Sequence, residues 1–273
     1  MQLVVDLLPK VPTNAPPQGA HPHEGHHEGQ DAYRDDVVVV IDVLRSCTMA
    51  ALLFEHGLNS LYVSKSVRSL RKFAKARAPH QPALLLGERD GMPPEGFNYG
   101  NALTELLNVD VQNKTALLLA ENMPLALKQV RGAAHVLLGS LYNAEAVMRH
   151  AAALADERIH LVCSGFQGDE DLDDTMVAGY MAALLERVIY PNLGATDELS
   201  LGGTAAMAMT LLKAFRDPLD ALWHARAGQV LRRADHASDI AFASYMSQAD
   251  AVPRLCNVVP EQPADLYQFE VLR

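Results

Sequence analysis

The chain has few cysteines, few aromatic residues and no long hydrophobic run. Its three cysteines, Cys47, Cys163 and Cys256, are odd in number and far apart, which argues against a disulfide framework and a clustered zinc site. Cys47 remains open as either a packed thiol or a reactive one. No apolar stretch reaches membrane-spanning length, and the N-terminal sequence MQLVVDLLPK lacks the basic start and apolar core of a signal peptide. We therefore expect a cytoplasmic protein without a membrane partner.

Positive charge is also scarce. The chain has 23 Lys and Arg residues against 33 Asp and Glu residues, a formal net charge of -10. A nucleic-acid partner is not expected, because binding to a phosphate backbone normally needs a basic face. A small anionic substrate remains compatible, since a local pocket can attract it against the global charge. With 273 residues, 49% of them hydrophobic, the chain can form a large core.

The most informative segment reads VVVVIDVLRSCT, from Val37 to Thr48. Its β-branched apolar run encloses one carboxylate, Asp42, and predicts a strand buried on both faces of a parallel sheet. Arg45 follows three residues later, and Ser46 or Thr48 is expected to cap the next helix. Ligands bind at the carboxyl ends of strands in open α/β sheets, and helix N-termini attract anions. This segment is therefore the strongest candidate site.

Apolar runs and helical patterns alternate along the following part of the chain. This alternation predicts βαβ units and an α/β fold, with a mostly parallel or mixed sheet layered with helices. After Ser164 the patterns become helical up to about Met246, so we expect a helical C-terminal part. We expect one domain over residues 1–273, with a helical subdomain at about 200–246 as the alternative. The expected strands after the first two are Leu61–Ser64, Ala83–Gly87, Thr115–Ala120, Val136–Gly139 and Ile159–Ser164.

Residues 9–35 form a polar segment rich in Pro, Gly and His, which predicts a flexible surface insertion. Its histidines could bind a transition metal. Two interpretations stay open, a solvated loop and a segment for metal storage or delivery. The clustered histidines are His21, His23, His26 and His27.

Polar residues follow several of the predicted strands. The acidic segment GDEDLDD adds further carboxylates. Hard oxygen ligands in such numbers suit Mg²⁺, and the planar guanidinium of Arg45 matches phosphate or sulfonate oxygens. Structural alternatives stay open for Asp42, as a buried helix-capping acid, and for Arg45, as its ion-pair partner. The polar positions after strands are Asp42, Arg45, Glu88, Glu121, Asn122, Ser140, Ser164 and Gly165.

Four motifs in order resemble the 2-phosphosulfolactate phosphatase family. They are VIDVLRSCT, GERDGMPPEGFNYGN, GSLYNAEAV and VCSGFQGDEDLDDTMVAGY, with weaker agreement near SDIAFASY. The family serves coenzyme M biosynthesis. The resemblance implies the topology peculiar to that family and Mg²⁺-dependent hydrolysis of a small anionic phosphate ester, 2-phosphosulfolactate or a related phospho-hydroxy acid.

Position by position, the resemblance suggests three groups of site residues. Catalysis is expected from Asp42, Arg45 and Glu88, and Mg²⁺ binding from Asp42, Glu88 and Asp174. Substrate binding is expected from Arg45, Asn101, Asn122, Ser140, Asn143, Ser164 and Gly165.

The chain departs from the family in the segment Ala120–Pro124. Family members usually have Thr-Thr-Asn-Gly-Thr there, and only Asn122 is retained. This departure motivates an alternative function, a diverged non-catalytic binder of a phosphorylated or sulfonated metabolite. For the enzyme, attack by a metal-activated water is expected, with an aspartyl phosphate at Asp42 as the alternative mechanism. A homodimer is expected because homo-oligomers are common among metabolic enzymes of this size.

Overall fold

A computed structural model of the chain describes residues 1–10, 32–77, 82–89, 91–193 and 198–272. The predicted α/β class is confirmed. The described residues form one mixed sheet of ten strands, with helices packed on it. The sheet is parallel on both flanks and antiparallel in the middle.

The structure has the following element bounds. The strands are β1 Gln2–Asp6, β2 Val37–Ile41, β3 Ser60–Ser64, β4 Ala83–Gly87, β5 Thr115–Leu119, β6 His135–Gly139, β7 Arg158–Cys163, β8 Ser200–Leu201, β9 Val252–Val259 and β10 Leu266–Leu272. The helices are α1 Ser46–Glu55, α2 Val67–Arg77, α3 Leu103–Leu106, α4 Met123–Val130, α5 Ala144–Leu154, α6 Leu172–Leu184, α7 Gly203–Leu211, α8 Pro218–His224, α9 Arg226–Arg233 and α10 Ala237–Ala243. A π-helical turn at Leu185–Ile189 and a 3₁₀ turn at Tyr190–Leu193 follow α6.

The C-terminal hairpin joins two parallel half-sheets. The strand order is β4-β5-β3-β10-β9-β6-β2-β7-β1-β8, with β10 antiparallel to β3 and β9 antiparallel to β6. Strand direction therefore reverses between the halves. A single registered pair, Leu137 with Arg254, connects β9 to β6. The predicted helical C-terminal part is confirmed by α7 to α10, and the strands β9 and β10, which were not predicted, follow these helices and complete the sheet.

Strand β2 lies inside the sheet, as its composition predicts. All five of its residues are buried. It pairs in parallel with β6 and β7, and helices α4, α5 and α6 pack against it. A strand with neighbours on both edges and helices over its surface needs an apolar residue at every position. The burial of β2 fixes Asp42 at the edge of the core.

The start of α1 differs from the prediction. No hydroxyl side chain caps this helix: Thr48 Oγ1 donates to the carbonyl of Val43 at 2.8 Å. The carboxylate of Asp42 instead accepts the backbone N–H of Ser46 at 3.2 Å. Asp42 has therefore taken the capping role, which a carboxylate can fill because the first amides of a helix lack intrahelical partners.

The helices after β8 share the core of the sheet. Their buried side chains, including Ala205, Leu222 and Ile240, belong to the same hydrophobic cluster as β1 and β2. Helices α6 and α7 approach so closely at Gly179 that a Cβ there would collide with the Ala208 carbonyl. The helices after β8 therefore pack into the same core as the sheet.

The polar insertion falls mostly outside the described residues. This applies to positions 11–31 and so to His21, His23, His26 and His27. Tyr33, near its end, is buried against the ring of His160. None of the helices within the described ranges is long and apolar enough to cross a membrane.

Candidate active site

A cavity of about 480 Å³ opens at the carboxyl ends of β2, β4 and β5. The strands of one half-sheet are antiparallel to those of the other. Even so, the carboxyl end of β2 from one half and those of β4 and β5 from the other line this cavity. The lining residues used below are Asp42, Arg45, Glu88, Asn101, Leu119, Ala120, Glu121, Asn122, Phe166, Gln167, Ala227, Val230, Leu231, Ala234 and His236.

A second cavity, of about 520 Å³, lies between α1 and α5. Its charged groups are largely paired already: Glu55 accepts the backbone N–H groups of Asp250 and Ala251, and Arg149 bonds to Glu145. It is remote from the strand ends where polar groups converge. Volume alone does not identify a reactive site, so the first cavity is the better candidate.

Asp42 lies between the amino ends of two helices. One carboxylate oxygen accepts the N–H of Ser46 in α1, and the other accepts the N–H of Met123 in α4 at 3.1 Å. Its residue exposure is only 5%, and burial raises the pKa of its carboxyl group. Within the described ranges, neither oxygen pairs with a Lys, Arg or His side chain. Backbone N–H dipoles and the side chain of Ser46 stabilise its negative charge.

Asp174 and Asp173 extend this buried acidic group. The oxygens of Asp174 accept the N–H groups of Val43 at 2.9 Å and Gly165 at 3.0 Å. Burial, and then repulsion from Asp173 and Asp42, raise the pKa of Asp174 well above its ordinary value. Burial and the nearby Asp171 charge raise the pKa of Asp173 to about 8. Adjacent buried carboxylates with mutually raised pKa values are typical of functional sites.

Gly165 has a specific backbone role. Its φ of +69° lies in the left-handed region that suits glycine. An added Cβ would also collide with the Asp169 carbonyl and with Leu8. The glycine therefore permits the turn that directs its N–H at Asp174.

Arg45 is held between two carboxylates. Its Nη1 atom bonds to Asp239 at 2.7 Å, and its Nη2 atom bonds to Glu88 at 3.0 Å. The alternative that Arg45 pairs with Asp42 is therefore wrong. Glu88 also accepts the N–H of Asn101 at 2.9 Å, and Asp239 accepts the N–H of Thr104 at 3.2 Å. These contacts fix the guanidinium at the wall of the cavity.

Sequence reasoning missed Asp239. The residue lies within SDIAFASY, where the similarity to the family is weak, and 194 positions separate it from Arg45. It is fully buried. An acid in the first turn of a short helix is most simply explained as a favourable partner of the helix dipole. The weak motif SDIAFASY was therefore the one sequence feature that pointed to Asp239 as a site residue.

The expected Mg²⁺ ligands do not converge. Among the residues that the structure describes, no three His, Cys, Asp or Glu side chains are placed to share an ion, so Asp42, Glu88 and Asp174 do not form a common ligand set. Glu88 already binds Arg45, and Asp174 is not part of the cavity lining. Asp42 alone fits the simpler arrangement in which Mg²⁺ takes one carboxylate and completes its shell with water and substrate phosphate.

Two amides and one hydroxyl remain polar candidates. Asn101 and Asn122 line the cavity, and Asn122 accepts the N–H of Gln167 at 3.3 Å. In the described part of the chain, Asn101 Oδ1 and Ser164 Oγ are buried without a hydrogen-bond partner. Ser164 and Gly165 themselves lie behind the lining, which their neighbours Phe166 and Gln167 reach. An unsatisfied buried polar atom calls for a missing partner, and for Asn101 the cavity is where a ligand would supply it.

Ser140 and Asn143 lie elsewhere. Both are fully buried and do not line the cavity. Asn143 Oδ1 accepts the N–H of Ser140 at 2.9 Å, while its Nδ2 donates to the carbonyls of Leu138 and Ala251. These bonds tie β6 and α5 to the segment before β9. We correct their expected substrate-binding role to a structural one.

Cys47 is a packed thiol. It is buried inside α1, and burial together with the nearby Asp42 charge raises its pKa well above the ordinary value. The thiolate needed for reactivity is therefore disfavoured.

Comparison with known proteins matches residues 22–258 to a family described as 2-phosphosulpholactate phosphatase. A probable 2-phosphosulfolactate phosphatase of Thermus thermophilus is 33% identical over 234 residues, 85% of this chain and 93% of that protein. One of the same name from Deinococcus radiodurans is 33% identical over 256 residues, 93% of each chain. Another, from Parasynechococcus marenigrum, is 33% identical over 220 residues, 80% of this chain and 88% of that protein.

Proposed function

The chain belongs to the 2-phosphosulpholactate phosphatase family, whose class is phosphoric monoester hydrolase, and we propose that it hydrolyses a small anionic phosphate monoester in the cavity beside Asp42. The substrate is 2-phosphosulfolactate or a related phospho-hydroxy acid. The observation that carries this proposal is the convergence of Asp42, two helix amino ends and Arg45 on one cavity.

We propose Mg²⁺ as the cofactor because of the charge of the cavity lining. Its described residues include three carboxylates, Asp42, Glu88 and Glu121, but one arginine, Arg45. An anionic ester entering this lining needs additional positive charge. A divalent ion held by Asp42 would supply that charge and the activation of a water molecule.

The roles of the protein groups follow from their contacts. Arg45 uses two of its five N–H groups on Glu88 and Asp239, which leaves others for phosphoryl oxygens. Asn101 and Asn122 offer amides for orienting the ester. The amino ends of α1 and α4 favour negative charge near Asp42.

Water is the proposed nucleophile. Both oxygens of Asp42 are engaged by backbone N–H groups, which lowers their nucleophilicity. Position 44 is Leu, so the second Asp typical of haloacid-dehalogenase-type phosphatases is absent from that position. Trapping of a phosphorylated Asp42 would overturn this mechanism.

The second candidate function is a non-catalytic binder of a phosphorylated or sulfonated metabolite. It is favoured by the altered segment Ala120–Pro124, since Ala120, Glu121 and Asn122 line the cavity.

A cytoplasmic location and a homodimer are further proposals. The location is supported by the free buried thiols, and the dimer by the frequency of symmetric dimers among soluble enzymes. Mass measurement in solution tests the dimer.

Phosphate release from a panel of phosphate esters, including 2-phosphosulfolactate and phospholactate, tests the function with Mg²⁺ and with chelator. We expect Mg²⁺-dependent turnover, reduced by about 100-fold or more in Asp42→Asn. Asp156→Asn, an exposed acid away from the cavity, is the matched control and should leave turnover unchanged. Full activity of Asp42→Asn would contradict the assigned site. Binding without turnover, from folded and Mg²⁺-loaded protein, would instead favour the non-catalytic binder.

A further inference from the structure

We propose that the cavity prefers a 2-phospho-hydroxy acid with an alkyl or aryl side chain, and that it discriminates against the sulfonate of 2-phosphosulfolactate. This inference rests on the proposed function, because it names the substrate class of the same cavity. It is carried by two observations, the charge of the lining and an apolar wall contributed by α9.

The lining has too little positive charge for a ligand with three anionic groups. 2-Phosphosulfolactate carries a phosphate, a carboxylate and a sulfonate. In the described lining, Arg45 is the one arginine, and its charge is already offset by Glu88 and Asp239. Arginine is the side chain best suited to such anions, because its guanidinium forms two parallel hydrogen bonds with their oxygens.

Two of the arginines next to the lining in sequence are already engaged with other groups. Arg89 pairs with Glu121 and donates to the Lys65 carbonyl. Arg226 pairs with Asp169 and lies against the Phe166 ring. His236 also lines the cavity, with an imidazole rather than a guanidinium or ammonium group. One divalent cation would offset the phosphate and leave the sulfonate without a partner.

Helix α9 gives the cavity its apolar wall. Ala227 lies three residues before Val230 and four before Leu231, so these residues share one face of the helix, and Ala234 directly follows its last residue. All four line the cavity. Leu119, Ala120 and Phe166 add apolar surface from other elements. The charged side chains of α9 occupy other positions on the helix, at Arg226, Arg232 and Arg233.

An apolar wall selects against charge at one end of the ligand. A sulfonate placed against it would lose hydration without gaining a hydrogen bond. An alkyl or aryl group in the same place would bury apolar surface on both sides. The polar wall around Asp42 and Arg45 would still take the phosphate.

Three esters decide the preference: 2-phosphosulfolactate, phospholactate and the phosphate ester of 2-hydroxy-4-methylpentanoate. We expect kcat/KM for the branched alkyl ester to exceed that for 2-phosphosulfolactate by about tenfold or more, the scale of discrimination by apolar contacts. A higher kcat/KM for 2-phosphosulfolactate would overturn the inference. Calorimetric titration with the same esters ranks affinity even if none is hydrolysed. Failure of the proposed function and failure of this inference are therefore distinguishable.

A matched pair of variants tests the role of α9. Val230→Lys puts a cation in the apolar wall, and Val188→Lys does the same at an exposed valine outside the cavity. The two valines are 47% and 40% exposed, so both substitutions suit the fold. We expect Val230→Lys to lower the alkyl-to-sulfonate ratio of kcat/KM by about tenfold. Val188→Lys should leave the ratio unchanged. An unchanged ratio in Val230→Lys, with native circular dichroism, would contradict the assignment.

Discussion

The two ends of β2 carry buried aspartates in opposite electrostatic settings. Asp36 precedes the strand with 6% exposure, and Asp42 follows it with 5%. At the amino end, His160 bridges two acids, with Nε2 3.1 Å from Asp36 and Nδ1 2.9 Å from Asp6. At the carboxyl end, Asp42 and Asp174 accept bonds from backbone N–H groups and repel each other.

This difference separates stability from function along one strand. Buried charges that are paired and hydrogen-bonded can be tolerated as structure. Buried carboxylates without a side-chain cation are retained at a stability cost and mark places where a ligand supplies the missing charge. The amino end is therefore interpreted as a structural clamp, and the carboxyl end as the site.

The largest expected effect on kcat/KM comes from replacing the arginine near the carboxyl end of β2, compared with the same replacement near the amino end. Arg45→Met should lower kcat/KM by about 100- to 1000-fold, because it removes the guanidinium from the cavity wall and leaves Glu88 and Asp239 without their cation. Arg158→Met removes a partner of Asp36, 3.6 Å away, at the other end. It should change kcat/KM less than about threefold, the size of a surface ion pair. Equal losses in both variants would remove the functional distinction between the ends.

A substitution of His160 should have the opposite pattern, with a loss of stability and no loss of activity. His160→Gln leaves Asp6 and Asp36 buried with an amide in place of a ring that faces both carboxylates. We expect the free energy of unfolding to fall by about 3 kcal/mol, because two buried carboxylates lose the ring nitrogens that they contact. The kcat of the folded protein should be unchanged. Urea denaturation and steady-state kinetics measure the two quantities, and a loss of kcat without a loss of stability would reverse the interpretation.

The carboxyl end should make stability depend on pH. Since folding raises the pKa of Asp173 from 3.8 to about 8, the folded protein binds more protons than the unfolded chain between those values. The free energy of unfolding in chelator should therefore fall as pH rises from about 4 to 8.

Asp173→Asn tests this dependence. It should raise the free energy of unfolding at pH 8 by about 1–3 kcal/mol and have little effect at pH 4. Asp156→Asn, at an exposed position, serves as the control and should leave the pH profile unchanged. A stability profile that is flat in both the parent protein and Asp173→Asn would argue against repulsion within the acidic group.

The smallest change in the free energy of unfolding is expected at Ser140, which lies away from both ends of β2. Ser140→Ala removes one hydroxyl hydrogen bond to Asn143, so unfolding should become easier by about 1 kcal/mol. Turnover should not change, because the residue does not line the cavity. Reduced kcat/KM with unchanged stability would restore the substrate-binding role expected from the motif.

Local sequence pattern was sufficient for much of the fold. The run from Val37 to Ile41 identified a buried strand because every position is apolar. The position of Asp42 after it predicted where a site would lie. The hairpin β9–β10 was missed, because its strands are partly exposed and contain Pro253 and polar residues. Their identity as strands depends on pairing with β3 and β6, which are distant in sequence.

The sequence by itself determined the α/β class, the burial of β2 and the family motifs, because side-chain periodicity and composition act over a few neighbouring residues. Tertiary structure decided which charged groups meet. It paired Arg45 with Glu88 and Asp239, left Asp42 without a side-chain cation in the described residues, and withdrew Ser140 and Asn143 into the core. These outcomes depend on contacts across many tens of residues. No local pattern encodes such contacts, because they arise only when the sheet and its helices pack together.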